Sequence, residues 1–476
     1  MKRASGVLMP IFSLPGDYSV GSFGKQAFAF IDFLSENGFS YWQVLPFGVT
    51  DSFHSPYQSY SAFSGNPYFI DLPTLAEQGL LTKEELEQAK QKTPYLCEYA
   101  RLETERLPLL KKASLRVSDK DKATILQWAK DTEVMRYARF MALKEANGGK
   151  CWTEWTKHQP DEATVFLWLF IEYQFSLQWQ KVLSYAHQKN IKVIGDLPIY
   201  VSFDSCDVWS HPEQFMLDDQ GHPTHVAGCP PDYFAKDGQL WGNPLYDWSV
   251  MQTDGFSWWR SRMEHQLSLF DGVRLDHFRG FESFWAVPFG SKTAVNGEWM
   301  QGPGMNFVKA MQEVAGDKLI IAEDLGDITA EVEQLVKDSG FPGMRVFQFA
   351  FLGGNNPHLP HNYIQNCVAY SGTHDNNTLL GYLWEMDDQT RKTMLAYCGF
   401  NGNDWGVGWR DVLRVMMASS ADLVIFPIQD LLGYGADTRV NKPGIADENW
   451  QVRFTADQIQ SVDSAFFKQL HQLYYR

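Results

Sequence analysis

Eight short apolar runs punctuate the chain, at residues 7–11, 41–45, 192–194, 272–275, 319–322, 345–349, 368–370 and 423–428. Between most of them lie stretches with apolar residues at helical spacing, at 25–36, 163–188, 306–314, 328–338 and 411–419. Alternation with period two reads as strand, and a period near 3.6 reads as helix. Eight strands alternating with helices predict a (β/α)8 barrel, an α/β fold whose parallel strands close on themselves inside a ring of helices. A doubly wound sheet competes, but it carries a glycine-rich nucleotide turn, and the sequence has none. Two gaps are too long for barrel loops. Residues 72–156 hold charged helical pieces and are expected to form a helical insertion subdomain. Residues 201–256 are rich in Pro, Gly, Asp and aromatics, and are expected to be an irregular insertion near the rim. The whole of 1–476 then forms one barrel, discontinuous in sequence, without independent domains.

The fourth run ends in Gly272-Val273-Arg274-Leu275-Asp276-His277-Phe278-Arg279-Gly280. The alternation places the Asp276 carboxylate at the rim of the strand, and Gly280 lets the backbone turn away. Arg274 shares its face, because residues two apart in a strand point the same way. A guanidinium beside a carboxylate favours the charged form. A surface ion pair has the same local pattern, so the other strand ends decide between the two readings. The third run ends in Ile194-Gly195-Asp196, the fifth in Ala322-Glu323-Asp324, the seventh in Ser371-Gly372-Thr373-His374-Asp375, and the eighth in Pro427-Ile428-Gln429-Asp430. A barrel gathers such ends on one face. Like charges brought together there are costly unless a site uses them.

Glycosyl transfer with retention needs an ionised and a protonated carboxyl group about 5–5.5 Å apart. Neighbouring strands lie about 4.8 Å apart, so Asp276 and Glu323 suit that separation. Partial burial and nearby acids raise the pKa of Glu323. Asp375, across the mouth, is placed to hold sugar hydroxyls more tightly as the ring flattens. A metal site is the alternative use of such groups. His374-Asp375, Asp276-His277 and His361 are ligand types, but no His-x-x-x-His or similar spacing accompanies them. Asp218-Asp219-Gln220-Gly221 lacks the full spacing of a calcium loop and reads as a turn. No metal and no cofactor are expected.

Composition narrows the partners. A net charge of −16 argues against nucleic acid and anionic membrane. Aromatics make up 15% of the chain, and many lie in loop-like stretches, where exposed rings bind flat apolar faces such as those of sugars. The six cysteines are scattered, with no Cys-x-x-Cys pair, and read as reduced thiols. No apolar span of membrane length and no signal-like N-terminus is seen, so the cytoplasm is the expected location.

With these residues in view, the chain resembles the amylomaltase family, 4-α-glucanotransferases related to the α-amylases. The resemblance runs through Ser5-Gly6-Val7-Leu8-Met9-Pro10-Ile11, Tyr41-Trp42-Gln43-Val44-Leu45-Pro46, Ser55-Pro56-Tyr57-Gln58-Ser59-Tyr60, and Gly65-Asn66-Pro67-Tyr68. It continues through Pro230-Pro231-Asp232-Tyr233-Phe234, Gly238-Gln239-Leu240-Trp241-Gly242-Asn243-Pro244, the carboxylate motifs at the strand ends, and Arg439-Val440-Asn441-Lys442-Pro443-Gly444. It implies Asp276 as nucleophile, Glu323 as acid/base and Asp375 as transition-state stabiliser. It implies sugar contacts from Tyr57, Asp196, Asp232, Tyr233, Trp241, Arg274, His374 and Asn441, with the active-site loop in the insertion at 201–256. Expected substrates are maltooligosaccharides, glucose and other α-1,4-glucans, with no cofactor. The sequence departs from the family pattern at His54, at Lys236-Asp237 and at Gly353-Gly354. Two other readings use the same residues: a retaining glucan hydrolase, and a glycan-binding protein that has lost catalysis. The second should lack one of Asp276, Glu323 or Asp375, and all three are present.

Overall fold

The structure is a computed structural model, and residues 2–50, 53–231, 236–445 and 448–476 are described. Eight strands form the barrel: β1 (Ala4–Leu8), β2 (Tyr41–Gln43), β3 (Lys192–Leu197), β4 (Gly272–Leu275), β5 (Leu319–Ala322), β6 (Gly343–Val346), β7 (Cys367–Tyr370) and β8 (Leu423–Pro427). Each pairs in parallel with the next in the chain, and β8 closes on β1. All eight apolar runs therefore contribute strands, and the fold is a (β/α)8 barrel. The strand bounds shift by one to a few residues at six of the eight runs, and two of the shifts are instructive. β1 begins at Ala4 and stops before Pro10, after which Ile11–Ser13 form a 3-10 turn. Proline has no N–H to give to a ladder. β6 starts at Gly343, and Phe347–Phe349 are a 3-10 turn. Ile11 and Phe347 are buried all the same, so their apolar character reported burial and not strand.

Alternation along the strands divides the core in two. Val193, Val273, Leu275, Ile320 and Ala322 pack outward against the helices. Ile194, Ile321, Met344, Tyr370 and Ile425 fill the barrel interior. The same period of two turns Asp196, Arg274 and Asp276 inward. Register then aligns them across strands: Asp196 pairs with Arg274, and Arg274 with Ile321. Two residues further on, Asp276 comes beside Glu323.

The helix Glu162–Gln188 is the longest on the outside, and it opens on an Asp161 side chain that caps the Thr164 N–H. Helices Tyr99–Leu115 and Glu133–Ala146 pack against it from the segment between β2 and β3. Buried Arg106 fastens this segment to the barrel by donating to the carbonyls of Tyr18, Tyr68 and Ile70. The segment 201–256, read as irregular, contributes strands Gln239–Pro244 and His225–Cys229 to an antiparallel sheet. Ser283–Pro288 and Glu298–Gln301, from the β4–β5 connection, complete it. The aromatics of this region are mostly interior. Tyr246, Trp248, Trp258 and Trp259 are buried and pack on one another, so they are core and not sugar-binding surface. Among the described residues no helix is long and apolar enough to cross a membrane.

Trp179 ties the long helix to the barrel wall. It is fully buried, donates to the Leu269 carbonyl at 2.9 Å and meets the rings of Phe23, Phe47 and Phe270. Trp179→Ala is expected to lower stability by roughly 3–5 kcal/mol, with loss of one buried aromatic and its contacts. Urea unfolding checks this; a loss under about 1 kcal/mol would mean that neighbouring rings refill the site.

Candidate active site

Arg274 is the centre of the barrel mouth. Its side chain is 6% exposed, and its Nη1 lies 2.8 Å from Asp196 Oδ1 and 2.9 Å from Asp276 Oδ1. Its Nη2 lies 3.9 Å from Glu323 Oε2. One buried cation thus serves carboxyl groups from three adjacent strand ends. Burial pushes the Asp196 pKa up, and Arg274 opposes that.

Glu323 follows β5 directly. Its Oε2 accepts the His277 N–H at 2.7 Å, and its Oε1 accepts the Leu325 N–H at 3.0 Å. Burial is the largest influence on its pKa and raises it; Arg274 and the two N–H groups pull down, while Asp276 adds to the rise. The net direction is upward, so Glu323 keeps a proton at pH values where an ordinary glutamate has lost it. His277 adopts left-handed backbone angles, φ 46° and ψ 51°, which are uncommon for any residue but glycine. That turn brings the next N–H, of Phe278, onto the Glu323 carbonyl at 3.1 Å.

Asp375 forms the facing wall, five residues past the end of β7. Its Oδ1 accepts from Asn441 Nδ2 at 2.6 Å, and its Oδ2 lies 3.3 Å from His374 Nε2. Burial pushes its pKa up, but His374 and Asn441 outweigh that and hold it at about 2. Arg439 donates to the Asp375 carbonyl, and the Asn441 N–H donates to the His374 carbonyl, so the C-terminal segment fixes this loop. Tyr57 joins the two walls. Its hydroxyl donates to Asp196 at 2.8 Å and lies 2.9 Å from His374 Nε2. A phenol has one proton to give. With that proton on Asp196, His374 Nε2 carries a hydrogen toward Tyr57 and Asp375. Trp241 stands above, half-buried, with its ring edge-on to His277 at 4.9 Å and 88°.

The fold therefore brings together Asp276, Glu323, Asp375, Tyr57, Asp196, Arg274, His374 and Asn441, with Trp241 beside them against the His277 ring. Asp232 and Tyr233 lie outside the described residues. Two strand-end acids do not join the site. Asp430 is buried, accepts the Ser371 hydroxyl at 2.5 Å and the Leu379 N–H at 2.7 Å, and braces the loop after β7. Burial pushes its pKa up to about 6. Asp324 pairs with Arg345 at 3.1 Å and accepts the Met344 N–H at 2.6 Å. His361 hydrogen-bonds Tyr397, and among the described residues no group of three or more His, Cys, Asp or Glu is placed to hold a metal ion. His54 stacks on Tyr99 of helix Tyr99–Leu115 at 3.8 Å. The N–H donors of His277 and Leu325 were not readable beforehand, since side-chain identity says nothing of where a backbone N–H points.

The family profile described as 4-alpha-glucanotransferase matches residues 9–458. The 4-alpha-glucanotransferase of Clostridium butyricum is 42% identical over 486 residues, covering 98% of both chains. That of Thermus thermophilus is 41% identical over 493 residues, covering 96% of both. The solved structure of amylomaltase from Streptococcus agalactiae in complex with acarbose superposes with a TM-score of 0.94 at 37% identity, covering 100% of both chains. The chain therefore belongs to glycoside hydrolase family 77, the 4-alpha-glucanotransferases, and transfer between 4-alpha-glucans is its activity.

Proposed function

We propose that Asp276, Glu323 and Asp375 carry this transfer in two displacements, on maltooligosaccharides, glucose and other α-1,4-glucans, in the cytoplasm and without a cofactor. The observation that carries the assignment is the unequal treatment of two neighbouring carboxyl groups. Asp276 is in contact with the Arg274 guanidinium at 2.9 Å, while Glu323 is buried with a raised pKa. Paired carboxyl groups in opposed environments take the two roles. In the first step Asp276 Oδ attacks the anomeric carbon of the donor, and the glycosidic C–O bond breaks. Glu323 gives its proton to the departing oxygen, leaving a glycosyl ester on Asp276. In the second step Glu323, now a carboxylate, takes the proton of an acceptor hydroxyl. That oxygen attacks the anomeric carbon and frees Asp276. Asp375, oriented by His374 and Asn441, holds ring hydroxyls, and its interaction strengthens as the oxocarbenium-like state develops. Tyr57, Asp196 and Arg274 shape the pocket for the reacting sugar, and sugar contacts are assigned to Asp232 and Tyr233 as well.

Water competes for the glycosyl ester at ~55 M, so an acceptor must gain through effective molarity, which reaches ~10⁵ M or more for well-placed groups. Trp241 offers an aromatic face beside His277 for a docked acceptor and shields the ester.

Asp276→Asn should cost about 10⁴-fold or more in rate, because covalent catalysis is lost while shape is kept. Glu323→Gln should fail on ordinary glucans yet still accept an α-glycosyl fluoride, whose leaving group needs no proton, and intact mass should show an adduct on Asp276. A tenth of the rate in the first variant, or no adduct in the second, would overturn the two roles.

The raised pKa also fixes a sign. The proton needed for the first step is present below that pKa and lost as pH rises through it. With maltotriose, kcat/KM should fall on the alkaline side; with the glycosyl fluoride that fall should vanish. An identical alkaline limb for both donors would show that another group is titrating.

Trp241→Ala should lower transfer more than hydrolysis. The measurement is new reducing ends against free glucose from maltotriose. Equal loss of both activities would remove Trp241 from acceptor docking.

A further inference from the structure

His277 touches three parts of the site at once. It follows Asp276 directly. Its N–H donates to Glu323 Oε2 at 2.7 Å, and the next N–H, of Phe278, donates to the Glu323 carbonyl at 3.1 Å. Its ring supports Trp241 edge-on at 4.9 Å. The neighbourhood is cut to fit that ring: a Cβ on Gly280 would lie 3.2 Å from His277 Cδ2 and 2.7 Å from Ile199 Cδ1. The left-handed backbone at a non-glycine residue is the price of this arrangement, since with φ below zero the ring and the following N–H, of Phe278, would take other directions. Strain of this kind persists only where the surroundings over-determine it.

We infer that His277 is a positioning residue with two separable tasks: its backbone N–H tunes the proton affinity of Glu323, and its ring holds Trp241 where an acceptor sugar docks. The inference rests on the assignment of Glu323 as acid/base. An N–H bond favours the ionised form of the carboxyl it touches. It therefore offsets part of the burial that raises Glu323, and leaves a group able to act as acid and then as base near neutrality. The charged groups facing Glu323 are Arg274 and Asp276, both from β4 and its end. The His277 ring is half-buried, and its desolvation pushes its pKa down to about 4, so it adds no charge there near neutrality.

The two tasks part under substitution. Asn and Gly accept left-handed angles readily, whereas a β-branched residue does not. His277→Asn and His277→Gly should keep the alkaline limb of kcat/KM on maltotriose in place. Their ratio of transfer to hydrolysis should fall about two- to tenfold, the range an edge-to-face aromatic contact is worth. His277→Val disfavours that turn, loosens the Phe278 N–H bond that holds Glu323 against the His277 N–H, and should move the alkaline limb up by about one pH unit, the loss of a hydrogen bond to a charged group. A residue that only kept the fold would lower rates at every pH, with limb and ratio unmoved. An unchanged ratio in His277→Asn overturns the ring's task, and an unmoved limb in His277→Val overturns the N–H task. Rescue of Glu323→Gln by the glycosyl fluoride is run alongside. If that rescue fails, the acid/base assignment falls; if it succeeds while the His277 variants behave as wild type, only the present inference falls.

Discussion

A guanidinium buried at the top of a barrel is the interaction on which this site depends. Asp196, Asp276 and Glu323 come from adjacent strand ends, and three acids cannot share that space without a cation. Arg274 supplies it from inside the barrel wall, two residues before the rim, because alternation along β4 sends Val273 and Leu275 outward and Arg274 inward. Removing one partner from a buried ion pair strands the other, at a cost of about 3–5 kcal/mol. Arg274 is therefore a structural requirement of the mouth, whatever it contributes to the proposed binding of sugar.

Around that cation, environment sorts one kind of chemical group into different tasks. Glu323 accepts two backbone N–H groups, but it is buried with its nearest guanidinium nitrogen 3.9 Å away, and its pKa is raised. Asp375 has hydrogen-bond donors and stays low, at about 2, although burial acts against it. Asp430 and Asp324 are bonded to backbone, hydroxyl or Arg345 and serve as braces. The acids thus divide by what donates to them.

The rim adds what a bare barrel lacks. Two connections, after β3 and after β4, meet in one antiparallel sheet, and that sheet carries Trp241 to a place over His277. Asp276, Glu323 and Trp241, to which we assign the roles of nucleophile, acid/base and acceptor surface, are thereby joined through one short segment at the end of β4. Tyr57, reaching in from the β2 connection, closes the far side through Asp196 and His374.

The sequence by itself determined the barrel, since strand alternation, acids at strand ends and intervening helices are local patterns that a linear chain displays. It also pointed to Asp276, Glu323 and Asp375 as a cluster at one barrel mouth, because acids at the ends of parallel strands must converge there. Apolar content misplaced the edges of β1 and β6, because a buried turn is as apolar as a buried strand. The rim sheet was hidden, because its short strands sit among glycines and prolines that also spell loop. Only the tertiary structure decided that Asp430 and Asp324 face away from the reaction while Asp196 faces Arg274, and that the backbone at His277 turns its N–H onto Glu323. Those outcomes depend on which groups end up within 3 Å or so of one another, the hydrogen-bond range, across segments far apart in the chain. A side chain's identity states what it is able to bond, and the fold alone states with what.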